Sequence, residues 1–220
     1  MRFKLVLLSL SFLMVFSSLA PSFTQASAGS SNGNKVMELS EEVIEIADPY
    51  IELQNNGYKI NDVKSLKEEL SQAEFVLVRQ KINEQNRTLR EFTSSDWDKA
   101  NIEDKTISFF EEPNNDFSLM SAGRNGIVSY WWGYRVYLNN NLTNTTYQIL
   151  AGGAGASAIV GAWAPFMTAP TLLIRAVATT FVITLGGSAA MIRDTNNGSG
   201  IYLRFTGLEP YIVYTGMFPQ

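Results

Sequence analysis

The sequence predicts an α+β fold: a helical N-terminal region, then a small C-terminal domain of strand, Gly/Ala-rich helical hairpin and two antiparallel strands. Three observations carry this. Apolar residues from Val63 to Leu89 recur at helical spacing among charges. Residues 127–138 and 201–206 alternate with the period of two that marks a half-buried strand. Between them, residues 145–192 are rich in glycine and alanine and hold one charge, Arg175.

At the N-terminus, Arg2 and Lys4 precede an apolar run, Leu5 to Phe16, that is shorter than the ~20 residues of a spanning helix. With the small residues Ala26-Ser27-Ala28, this is the pattern of a secretory signal peptide, residues 1–28, cut after Ala28. A Gly/Ser/Asn tail at 29–35 has nothing to bury and is expected to be disordered.

The next segment, 36–115, is expected to be an acidic, mainly helical region and a candidate pro-region. Ser40 can cap a helix that carries Val43, Ile44, Ile46 and Ala47, and Asp48-Pro49 stops it. Alternating apolar residues flank Asn56-Gly57, a hairpin signal. One long amphipathic helix is expected from Val63 to about Leu89. Residues 93–115 lack periodicity and end in Pro113-Asn114-Asn115, so 116–125 is expected to be a linker. Within it, Arg124 stands among small residues as a candidate processing site.

From 126 to 220 a hydrophobic α+β domain is expected. The stretch "SYWWGYRVYLNN" is expected to be one strand, with Val128, Tyr130, Trp132, Tyr134, Val136 and Leu138 on its apolar side and Trp131, Gly133, Arg135 and Tyr137 on the mixed side. Caps at 142–145 then open the hairpin 145–192, two helices joined by a turn at Pro165 to Pro170. Each interior glycine costs a helix ~1 kcal/mol relative to alanine, so a compensating contact is expected. Gly153, Ser157 and Gly161, four residues apart, offer a face for close helix packing. At ~1.5 Å per residue the two helices would reach about 30 and 33 Å, close to a bilayer core. Residues 201–206 and 211–215 are expected to be strands, and Asp194 to Gly200 a helix stop and turn.

Composition limits the chemistry. The chain contains no histidine and no cysteine, which removes the usual triads, thiol nucleophiles, disulfides and zinc sites. Charge is uneven: residues 30–124 hold 19 acids and 11 bases, residues 125–220 only 2 acids and 4 arginines. No lysine follows Lys105, an unpromising distribution for a nucleic-acid partner. "DTNNGSG" (194–200) partly resembles a calcium loop, but Phe205 stands where the closing glutamate belongs. A carboxylate pair from Asp194 and Glu209 would need both in one cleft. No catalytic residue, metal site or cofactor is expected, and the chain is expected not to be an enzyme.

Aromatic residues are the remaining candidates for contact. Trp131, Trp132, Tyr134 and Trp163, with Arg175, are the expected membrane or partner contacts, since such rings serve a bilayer interface, a glycan face or simply a core. "IADPYIELQNNGYKIND", and "YWWGYRVYLNNN" leading into a Gly/Ala-rich hairpin, resemble uncharacterised secreted proteins of Bacillus-like Gram-positive bacteria. The hairpin is also similar to apolar segments of bacteriocins. This resemblance implies secretion and a two-part organisation. The primary expectation is thus a secreted, membrane-active, bacteriocin-like or pore-forming protein whose acidic half keeps the apolar half soluble, with lipid as partner and oligomers open. The alternative is an extracellular or cell-envelope binding module, contacting cell-wall glycan, whose hairpin is buried core.

Overall fold

The computed structural model describes residues 39–110, 123–185, 189–207 and 213–220. The expected signal peptide, the cut after Ala28, the tail, linker residues 116–122 and Glu209 lie outside them. Residues 36–220 form one compact unit, so the expected division at 116–125 is not a boundary between two compact units.

Helix α1 (Glu41–Ala47) is capped as expected: the Ser40 hydroxyl accepts from Val43 N–H at 3.3 Å. A short 3-10 turn with Pro49 near its start ends it and leads into the hairpin of β1 (Ile51–Gln54) and β2 (Gly57–Ile60). The turn is centred on Asn55 and Asn56, at φ 49° and 61°. Paired positive φ values are what a two-residue hairpin with strand-like twist requires, and asparagine tolerates them. Gly57 therefore begins β2 instead of closing the turn.

The expected long helix is two. Leu70 adopts extended geometry and separates α2 (Val63–Glu69) from α3 (Gln72–Leu89). The cause is local: the Ser71 hydroxyl accepts from Glu74 N–H while the Glu74 carboxylate accepts from Ser71 N–H, a reciprocal cap that starts a new helix. A single turn, α4 (Ser94–Trp97), carries a second such box between Thr93 and Asp96. The segment expected to be irregular then forms β3 (Asn101–Glu103) and β4 (Thr106–Phe110).

These two join β5 (Gly126–Tyr130), β6 (Gly133–Leu138), β7 (Ile201–Thr206) and β8 (Val213–Pro219) in a six-stranded antiparallel sheet of order β3-β4-β5-β6-β7-β8. "SYWWGYRVYL" is thus not one strand. It folds at Trp131-Trp132 into a hairpin in which Tyr130 pairs with Gly133. A side chain at Gly133 would collide with the Phe205 carbonyl on β7, so only glycine lets the chain leave the turn at this point.

Among the described residues, four α-helices stand between β6 and β7: α5 (Asn140–Ala151), α6 (Ala156–Trp163), α7 (Thr171–Leu185) and α8 (Ala189–Thr195). The first starts earlier than expected, because Asn139 caps it by accepting from Leu142 N–H. It ends at Gly152-Gly153, where Gly153 sits at φ 74°. The two expected long helices are therefore broken into shorter pieces. The turn after α8 is built as expected, the Asn196 carboxamide accepting from Gly198 and Gly200 N–H.

One face of the sheet is core. Phe109, Ile127, Val136 and Leu203 form one cross-strand row there, and Ile107, Ser129, Tyr134 and Phe205 the next, all buried. The acidic region supplies α3 to this core through Phe75, Val78, Ile82 and Leu89. The apolar region supplies Trp163, Leu173, Ile174, Val177 and Phe181. Fully burying each such side chain stabilises by ~1.5–3 kcal/mol, and both regions contribute to one cluster.

Candidate functional site

A polar seam joins the two regions. The Tyr134 hydroxyl donates to Gln85 Oε1 at 2.8 Å, Gln85 Nε2 donates to the Gly133 carbonyl at 3.1 Å, and the Tyr58 hydroxyl donates to the Ser129 carbonyl at 3.3 Å. Burial pushes the Tyr58 and Tyr134 hydroxyls well above the usual phenol range. Trp131 Nε1 donates to Asp48 at 3.0 Å, and Arg204 pairs with Glu41. An acidic region expected to be removable is tied to the sheet by ladder bonds, ring contacts and these five side-chain links.

The expected contact residues are mostly interior. Trp131, Trp132, Tyr134 and Trp163 are all buried, and Trp163 Nε1 donates to Thr146 Oγ1 at 2.9 Å. Their size and apolar surface are used by the core, which is why no partner can reach most of them. Arg175 alone of the five is exposed. The close-packing face is corrected as well: Gly153 lies in the turn after α5, Ser157 is exposed, and no atom stands within 4 Å of where a side chain at Gly153 or Gly161 would begin. The Gly/Ala stretch forms short helix ends and turns, where glycine costs little, instead of one long helix. Arg124 is not a free loop tip. Gln220 accepts from its N–H at 3.0 Å and donates to its carbonyl at 3.1 Å, while its guanidinium lies 3.8 Å from the centre of the Phe110 ring.

The opposite face of the sheet holds a different constellation. Antiparallel pairing aligns "GYRVYL" on β6 with "IYLRFT" on β7, so Arg135 stands opposite Arg204 and Tyr137 opposite Tyr202. Extending these rows across the sheet gives Phe110, Gly126, Tyr137, Tyr202 and Phe218 in one, and Ser108, Val128, Arg135, Arg204 and Gly216 in the next. Phe110, Tyr130, Arg135, Tyr137, Tyr202 and Arg204 are half-buried. Gly126 has a steric reason: a side chain there would run into the Phe110 ring that lies over it.

Rings wall both arginines. The Tyr130 and Trp132 rings stack with centroids 4.7 Å apart and planes within 15°. Arg204 lies 4.5 Å and Arg135 5.8 Å from the centre of the Trp132 ring, and Arg135 lies 5.0 Å from Tyr130 and 5.8 Å from Tyr202. Tyr202 stacks in turn on Phe218 at 4.9 Å. Burial raises the Tyr130 hydroxyl above its usual range, with the Arg135 charge pulling the other way. Among the described residues no carboxylate pairs with Arg135, and its Nε is buried without a hydrogen-bond partner. Beside Arg204, a groove of about 370 Å³ runs between the start of α1 and β7–β8, lined by Leu39, Ser40, Glu41, Thr206, Thr215 and Phe218.

Cross-strand like charges oppose stability, and a half-buried cation costs desolvation. Cation–π contact returns ~0.5–2 kcal/mol per arginine. A valine or threonine at position 135 would avoid both costs. Arg204 has a structural use in its pairing with Glu41, whereas Arg135, with no carboxylate partner among the described residues, is a cation that sheet packing does not require. Alternation within one strand puts Arg135 and Tyr137 on its mixed side, which does not distinguish them from ordinary surface residues. The available signal was the matching Arg/Tyr two-residue spacing in β6 and β7, which antiparallel pairing turns into facing pairs.

The chain matches no protein-family model, no curated protein and no solved structure.

Proposed function

We propose that the protein is an exported, non-enzymatic binding module of the cell envelope or extracellular space, and that the outer sheet face of arginines and aromatic rings is its contact surface for glycan. The observation that carries this is the facing pair Arg135 and Arg204 between the rings of Tyr130, Trp132 and Tyr202. Flat rings offer their faces to sugar rings, and guanidinium groups hydrogen-bond hydroxyl or acidic oxygens. Export is supported by the signal-like residues 1–28, and the non-enzymatic role by a composition without histidine or cysteine.

Burial of α7 supports this over insertion of the hairpin. Leu173, Ile174, Val177, Ala178 and Phe181 are at most 1% exposed, so unpacking them into lipid would dismantle the core. Among the described residues no single helix is long and apolar enough to cross a membrane, although the pair 171–184 and 189–195, bent by 105°, qualifies by length and composition.

A membrane-active role keeps one observation in its favour. Phe166, Leu172, Ile183 and Met191 are exposed on a stretch whose only charge is Arg175, and Ile183 reaches 74%. Titrating tryptophan fluorescence of the full chain with anionic liposomes and with soluble cell-wall glycan separates the two roles. Binding to glycan without a liposome response supports the module. Leakage of dye-loaded liposomes, with glycan inert, overturns it in favour of the membrane-active role.

A further inference from the structure

Resting on the binding role proposed above, we infer that the ligand is an acidic carbohydrate polymer whose anionic group, carboxylate or phosphate, is received by Arg135 and Arg204, and that Glu41 is a built-in competitor for that group. Charge is the starting point. Arg135 and Arg204 are paired across β6 and β7, their guanidiniums lie 5.8 and 4.5 Å from the Trp132 ring centre, and Glu41 pairs with Arg204. Arg135 keeps its charge without a carboxylate among the described residues, at a half-buried position where the field is screened less than at an open surface. An entering anion meets planar donors suited to two-pronged binding of carboxylate or phosphate.

Geometry gives the rest of the ligand a place. The groove beside Arg204 continues to Phe218, whose ring stacks on Tyr202, so a sugar following the anionic group meets an aromatic face. Glu41 sits on the rim of the same groove, and its side chain is 63% exposed while that of Arg204 is 13% exposed. An exposed, solvated carboxylate on a more buried cation is the arrangement a ligand anion can displace at small cost, since Glu41 is fully hydrated on leaving. Its position at the first turn of α1 keeps it near Arg204 while the groove is empty.

The test is calorimetric binding of the full chain to three probes: an oligogalacturonate, a poly(glycerol phosphate) and a neutral N-acetylglucosamine oligomer. Either acidic probe is expected to bind at least about tenfold tighter than the neutral one, an advantage that shrinks as salt rises. The substitution E41Q is expected to tighten acidic binding several-fold, and R135M to weaken it about tenfold with an unchanged urea midpoint. E41Q removes only an exposed carboxylate, so it reports even where R135M fails to fold. Preference for carboxylate or phosphate assigns the anion. Equal binding of neutral and acidic probes overturns the acidic specificity while leaving the glycan-binding role intact. Unchanged or weaker acidic binding in E41Q overturns the competitor. Binding of none of the three, or of other neutral wall fragments, overturns the binding role itself.

Discussion

Alkaline pH is expected to unfold this protein through two buried phenols. Tyr58 and Tyr134 sit in the seam between α3 and the sheet, their hydroxyls donating to the Ser129 carbonyl and to Gln85. Burial raises both above the ordinary value of 10.0. The sign follows from that direction. Each phenol stays protonated in the native state where the unfolded chain has released its proton, so stability is full below about pH 10 and falls as pH rises toward the native values. A single retained proton costs 2.303RT, about 1.36 kcal/mol per pH unit, so two phenols remove ~2.7 kcal/mol per unit and ~5 kcal/mol by about pH 12. A domain whose whole stability is ~5–15 kcal/mol would then be near its unfolding transition. Urea midpoints measured in half-unit steps from about pH 9 upward give the slope, with Y134F expected to halve it. A flat profile across this window, or a slope that Y134F leaves unchanged, would refute the assignment of both hydroxyls as buried donors.

Three further outcomes probe the core. F181A is expected to cost ~3–5 kcal/mol in urea unfolding while I183S stays within ~0.5 kcal/mol, because one ring is fully buried on α7 and the other side chain is 74% exposed. T146V leaves the Trp163 indole N–H without its acceptor in a buried site and is expected to cost ~1–3 kcal/mol by the same assay. A chain severed between Phe110 and Gly123 is expected to elute as one species in gel filtration, because β4 pairs with β5 across the cut and Gln85 bonds the β6 backbone; separation of the two fragments without denaturant would contradict the shared core.

Much of the local structure was legible because its causes are local. Ser40 before an apolar run, Asp48-Pro49 after it, and alternation at Ile201, Leu203 and Phe205 each act within a few residues, and each element stands where those residues placed it. The structure departs from the sequence pattern where two local signals compete. Ser71 and Glu74 form a cap inside what hydrophobic spacing read as one helix. Trp131 and Trp132 continue a strand by pattern, yet Gly133 allows the chain to turn back.

What the sequence by itself determined is therefore the inventory: the α+β class, the alternation that gives β6 and β7 a buried and a half-buried face, the near-absence of charge over residues 140–192, and the absence of histidine and cysteine. Only the tertiary structure decided which surfaces those faces meet. Apolar periodicity is the same for a helix buried in protein and one buried in lipid, and it was the burial of Val177 and Phe181, the latter edge-on to Tyr214 of β8, that made α7 core. Likewise, an arginine two residues from a tyrosine is unremarkable in one strand. Register across β6 and β7, a relation between residues about seventy apart, makes it a facing pair of cations walled by rings.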